Sequence, residues 1–339
     1  MKSAISPLTI LSLLLTLRLA PCATISSNSI AEAHRNISCP DGAFNGFDLS
    51  GDSIVQDLRS GGESDFSNSQ FADASFSGAS VVADGGIWGA RVNFANVEMQ
   101  RANLRDVSFT VDHGTGAGRV SSIDFTSGDL SSSDFTGSHF LATLGTGTEN
   151  IVSLDLTATN LSNTIFRDTS FRLKISTGER GKALVDFSGA NLTGAQFAGA
   201  TFIGEMMTGS QNSTIVDFSG ADLSNVGFQG VVFSMRLGIG QSPHGSIRFD
   251  NAVLAGVDFT NATLPFVDFS NTDLSGATFS NTYYSATTAF PIGFDPNQEP
   301  GLILIPEPST SLLVLMGLIV PVFGGRTRRR FVIPNPFRT

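Results

Sequence analysis

Residues 185–202 read VDFSGANLTGAQFAGATF, and their large apolar residues fall at Phe187, Leu192, Phe197 and Phe202, every fifth position. An amphipathic helix repeats its apolar positions at three and four residues and a half-buried strand at two, so neither template accommodates the stretch. The same spacing runs through most of the chain. Blocks of four occur at Phe94, Met99, Leu104, Phe109; at Phe125, Leu130, Phe135, Phe140; at Leu156, Leu161, Phe166, Phe171; and at Phe218, Leu223, Phe228, Phe233. Each block opens 31 residues after the last, and Phe249 opens the next on schedule.

This nested period carries a geometry. An insertion that recurs after every fourth pentad returns to one edge of the molecule only if four pentads complete a turn. The coil is therefore a square with one pentad per side, the central residue of each pentad pointing inward. The residue two before it, often alanine (Ala102, Ala190, Ala195, Ala200, Ala221), must be small enough to share the narrow interior. With 28 Phe against two Tyr and one Trp, the interior is expected to be stacked phenylalanine, coil on coil at about the 4.8 Å strand spacing. Each buried large side chain contributes roughly 1.5–3 kcal/mol.

The pentads ANLTG, AQFAG, ADLSN and TDLSG resemble the pentapeptide-repeat family: a small residue, Asp or Asn, Leu or Phe, Ser or Thr, then a turn-forming residue. The resemblance covers residues 44–284 and implies an all-β fold, a right-handed quadrilateral parallel β-helix. Pentads without insertions, Leu264 to Phe279, continue it. The pentads around Leu49, Ile54, Phe66, Phe71 and Phe76 are less regular, as at a capping end.

The chain departs from the plain family pattern in its insertions, HGTGAGR, LGTGTEN, ISTGERG, MMTGSQN and LGIGQSP, with glycine at 116, 147, 178, 209 and 240 and threonine at 115, 146, 177 and 208. The flanking residues alternate as in strands. Hairpin-like arms are expected to leave the square at one edge and stack into a wing, with a tight turn at the glycine column. Ile123, Leu154, Val185, Val216 and Ile247 replace the small residue where each arm re-enters.

Asp124, Asp155, Asp186 and Asp217 form an acidic column that raises the expectation of a cation ladder. Solvated like charges at 4.8 Å repel by only about 1 kcal/mol per pair, so water alone tolerates such a column. The threonine column resembles the ladders of ice-binding solenoids, but turn chemistry accounts for it better. His34, His113, His139 and His244 lack metal-ligand spacing, and His113 shares an apolar wing position with Leu144 and Ile175. The sequons at Asn160, Asn191 and Asn261 are products of the repeat itself. Nothing breaks the repeat as catalytic residues would, so neither an enzyme nor a cofactor is expected.

The termini point outside the cell. Residues 1–23 carry Lys2 and an apolar run over 8–17, a secretory signal peptide with cleavage near Ala23; Pro21 and Cys22 fit a lipoprotein signal less well. After a lead-in at 24–43 and the repeats at 44–284, a linker at 285–305 leads to residues 306–330. There Pro306, Glu307, Pro308, Ser309 and Thr310 precede twelve apolar residues, 312–323, broken by Pro321, and then Arg326, Arg328, Arg329 and Arg330. Twelve residues fall short of the roughly 20 of a full membrane span. The order resembles the PEP-CTERM sorting signal of Gram-negative bacteria, which implies a short hydrophobic helix, a transient membrane anchor and processing by an exosortase. The tail at 331–339 departs from that pattern.

Between residues 24 and 300 stand 13 Lys plus Arg against 29 Asp plus Glu, so the body is more acidic than the overall net charge of −10. Such a body repels phosphate backbones and weighs against nucleic-acid binding. With Cys22 and Cys39 alone, no disulfide framework is available. The reading is a non-catalytic, exported structural or interaction protein of the cell surface or extracellular matrix, with extracellular polysaccharide a candidate partner. The alternatives are an acidic DNA-mimic topoisomerase inhibitor, which would have to stay in the cytoplasm, and a carbohydrate-active β-helix enzyme, which would need a carboxylate cluster in a groove.

Overall fold

The computed structural model describes residues 41, 43–50, 53–57, 62–241 and 244–306. Strands, numbered in chain order, alternate between two sides of a square. One side stacks β1 (Ser53–Asp57), β3 (Ser80–Asp84), β5 (Ser108–Ala117), β7 (His139–Thr148), β9 (Ser170–Ile175), β11 (Thr201–Ser210) and β13 (Val232–Gln241). The adjoining side stacks β2 (Gly62–Asp65), β4 (Ala90–Asn93), β6 (Val120–Asp124), β8 (Ile151–Asp155), β10 (Lys182–Asp186), β12 (Ser213–Asp217), β14 (His244–Arg248) and β15 (Val267–Asp268). The other two sides are columns of single parallel bridges, such as Asp129↔Asn160↔Asn191↔Asp222 and Asp134↔Ile165↔Gln196↔Gly227. Every pairing is parallel and joins one coil to the next, as the five-residue period requires.

The expected inward residues line the interior: Phe187, Leu192, Phe197 and Phe202 are fully buried, and so are Ala190, Ala195 and Ala200. Rings stack between coils, Phe171 on Phe202 at 4.6 Å and Phe187 on Phe218 at 4.9 Å, close to the strand spacing. Where serine or threonine replaces the small alanine, its hydroxyl donates to the carbonyl of the inward residue one coil earlier, as Thr159 does to Phe125 (2.9 Å) and Thr164 to Leu130 (3.0 Å). The interior thus accepts a hydroxyl because an acceptor lies directly below it. Corners fall two residues after each inward residue, where Gly189, Gly194, Asn163 and Asp168 adopt positive φ, which selects glycine, asparagine and aspartate there.

Beyond residue 284 the chain stays on the solenoid. β16 (Thr282–Tyr284) pairs with β17 (Leu302–Leu304), and Phe290 stacks on Phe269 at 6.2 Å while Phe294 meets Phe279 edge-on at 6.3 Å. Among the described residues there is no helix. The segments at 1–23 and 312–323, with the arginines at 326–330, lie outside the described residues, and so do the signal peptide and sorting signal read in them.

Candidate functional site

The arms do form a wing at one edge. Their two legs are not bonded to each other as in a β-hairpin. Outgoing legs pair with outgoing legs, as in Val111↔Ala142↔Leu173↔Gly204↔Met235, and returning legs with returning legs, as in Val152↔Ala183↔Thr214. The wing is therefore two parallel sheets facing each other over a second, thin core. Volumes compensate across it: a Cβ on Gly204 would stand 2.6 Å from the Thr214 hydroxyl oxygen.

The glycine column does not make the reversal. Gly116, Gly147 and Gly209 lie near the ends of β5, β7 and β11, and the turn comes two residues later, at Gly118, Glu149, Arg180 and Gln211, all at positive φ. The glycines answer to close approach instead. A Cβ on Gly147 would lie 2.1 Å from the carbonyl oxygen of Gly116, and one on Gly209 2.1 Å from that of Gly178. Buried asparagines staple two of the tips to the arm below. Asn150 donates to Gly116 O (3.0 Å) and accepts from Arg119 N (3.0 Å), while Asn212 donates to Gly178 O (3.1 Å) and accepts from Gly181 N (2.8 Å). Thr115, Thr146, Thr177 and Thr208 stand exposed at the tip.

Asp124, Asp155, Asp186 and Asp217 are brought together in continuous register. In each, Oδ1 accepts the N–H two residues on, from Thr126 (2.8 Å), Thr157 (3.0 Å), Ser188 (2.9 Å) and Ser219 (3.0 Å). The column is thus a row of Asx turns that fix the corner after each strand. Arginines flank its ends: Arg91 bonds Asp124, and Arg248 stands 3.9 Å from Asp217. Among the described residues no group of three or more Asp, Glu, His or Cys side chains gathers as metal ligands would. Other sides use the same cap. At Asp222 the Ser224 hydroxyl and N–H hold the carboxyl below its ordinary range. The recurring DFT, DLT and DFS triplets place the N–H donor two residues after each aspartate of the column.

His113 occupies the first rung of the column continued by Leu144, Ile175 and Met206 and is fully buried. Its Nδ1 lies 3.2 Å from the Ser121 hydroxyl, and its Nε2 is the one buried side-chain polar atom without a partner among the described residues. The coil below has a short loop, residues 85–89, in place of an arm; Gly86 O receives Gly114 N, and the Ser121 hydroxyl receives Ala90 N. This buried imidazole is a wing-core residue. Burial, then the Arg119 charge, pushes its pKa down, against a smaller opposing pull from Asp84. A histidine with a folded pKa below its unfolded value of about 6.5 contributes stability that is present above that value and is lost as pH falls through it toward the folded pKa. Asp112, raised by burial and by Asp84, works in the opposite direction. His113→Leu should therefore flatten the loss of melting temperature between neutral pH and pH 5. An unchanged pH slope in that variant would remove His113 as its source.

Residues 184–204 and 247–281 match the family model of pentapeptide repeats, in eight copies. The solved structure of full-length QnrB1, a plasmid-mediated fluoroquinolone resistance protein, is similar at 17% identity over 70% of this chain and 99% of that one, with a TM-score of 0.24. HetL, a pentapeptide repeat protein involved in heterocyst differentiation regulation from the cyanobacterium Nostoc sp. strain PCC 7120, is similar at 15% identity over 69% of this chain and 90% of that one, with a TM-score of 0.22. No curated protein matches the sequence. The four-sided stacking and the inward Phe and Leu ladders make the described solenoid a four-sided parallel β-helix, and its residues 184–204 and 247–281 are similar to pentapeptide repeats.

Proposed function

We propose that the chain is a non-catalytic, exported structural or interaction protein of the cell surface or extracellular matrix, handled by an exosortase-type enzyme and presenting its wing to extracellular partners such as polysaccharide. One observation carries the reading: an unbroken solenoid lies between an N-terminal secretory pattern at 1–23 and a Pro-Glu-Pro, apolar, polyarginine order at 306–330. Its aspartate columns support the same reading, since their carboxylates hold turns and leave no acid–base pair set apart from the repeat.

The test is fractionation of cells producing the chain with an epitope inserted after Ala23. The expected product is in the membrane or extracellular fraction, and Arg326, Arg328, Arg329 and Arg330 changed together to alanine should retain a longer form at the membrane. A soluble, full-length cytoplasmic product would overturn the proposal. The acidic body favours one second reading, a DNA-mimic topoisomerase inhibitor. That reading is selected if the product is cytoplasmic and inhibits a gyrase supercoiling reaction.

A further inference from the structure

The outward face of the outgoing sheet carries a polarised column. In continuous register it reads Asp57, Asp84, Asp112, Thr143, Lys174, Glu205, Arg236. Acids alone occupy one end, and the cations Lys174 and Arg236 stand at the other with Glu205 between them. Beside it, nearer the square, runs a second column that includes Val82, Leu141, Arg172 and Ile203. Within one molecule these charges stay apart. Among the described residues neither Asp84, Asp112 nor Lys174 has an ion pair, and burial together with the Asp84 charge raises the Asp112 carboxyl. Glu205 is held by Arg172 at 2.7 Å and Arg236 at 3.5 Å, a cluster with one positive charge in excess.

We infer that this face is the interface of a two-fold dimer of this chain, the two solenoids antiparallel and the axis running along β7 at Leu141 and Thr143. That axis maps each coil above β7 onto the coil equally far below it in the partner copy. Asp112 of each copy then faces Lys174 of the other, so the pair forms twice. Asp84 falls opposite Glu205, whose charge Arg172 and Arg236 outweigh within their own copy, and the register position of Asp57 falls opposite that of Arg236. In the neighbouring column Leu141 meets its own copy and Val82 meets Ile203. A parallel arrangement would set acids on acids, so charge selects the antiparallel one. Six strand spacings make the face about 29 Å tall; its ten-residue strands β5, β7, β11 and β13 are about 33 Å long and the other three run five or six residues, so the face is on the order of the roughly 800 Å² per partner of a stable interface.

The test is sedimentation of the full chain at low and physiological salt, with circular dichroism to verify folding. The wild type should be a dimer that weakens as salt rises. Lys174→Asp or Asp112→Lys alone should weaken it by at least about tenfold, because each places two like-charge pairs across the axis. An equimolar mixture of the two variants should dimerise again, since every 112–174 contact in the mixed pair is then of opposite charge. A monomeric wild type, a dimer indifferent to both substitutions, as association through the terminal apolar segments would be, or a mixture that stays monomeric would each overturn the inference.

Discussion

Phe197→Asp should remove most of the stability of the solenoid. The ring is fully buried, stacked on Phe166 at 4.6 Å and Phe228 at 5.0 Å and met edge-on by Phe187 at 6.2 Å. Truncating a buried phenylalanine costs about 3–5 kcal/mol. A carboxylate left unpaired in its place adds several more unless it takes up a proton. The sum is on the order of the whole 5–15 kcal/mol that holds a typical domain. Gln196→Asp, one residue earlier on the same side and facing outward, supplies the control: the same charge there should shift the denaturation midpoint little. Because each coil touches only its neighbours, the loss should begin in the coils of Phe166 and Phe228 and leave the far ends of the stack protected in hydrogen exchange. Equal midpoints for the two variants would mean that Phe197 does not face the interior.

The five-residue period made the square legible because a solenoid repeats one local solution, so each inward position is stated many times over. Spacing alone assigns Phe187, Leu192, Phe197 and Phe202 to four walls. The wing was legible as a stack of arms but not in its pairing. Alternation along each leg is the same whether a leg bonds to its own return or to the next coil, and the parallel register of Val111, Ala142 and Leu173 fixes which it is. The aspartate column was legible in position and not in role. An outward carboxylate before each inward residue suits a cation or a turn equally, until the N–H of Thr126, Thr157, Ser188 or Ser219 is found on it. His113 was rightly grouped with Leu144 and Ile175, whereas its orphan Nε2 depends on the short loop below it, which periodicity does not describe.

The glycine column is where pattern and cause separated most, and it supports the second large effect. Glycine at 116, 147, 178 and 209 reads as a turn signal, yet β7 runs through Gly147 to Thr148 and the chain reverses at Glu149. What excludes a side chain at Gly147 is the arm below. At φ 141° its Cβ would stand 2.1 Å from Gly116 O and 2.5 Å from Asn150 Nδ2, the two atoms of the bond that staples the tip. Gly147→Ala therefore cannot be absorbed by rotating a side chain. The strained backbone costs about 1–3 kcal/mol, and as the arms are pushed apart the buried Asn150 amide loses its acceptor, at about 1–3 kcal/mol more. The expected total of about 2–6 kcal/mol falls on the wing, because Phe140 and Phe166 lie in the square and not at this tip. Amide exchange should accelerate across β7 and β8 beyond Ala142 while residues 156–166 keep their protection. Thr146→Ala, one residue away and exposed, should leave both regions as they were. If it opened the tip as far as Gly147→Ala does, close approach of the arms would not be the reason for the glycine.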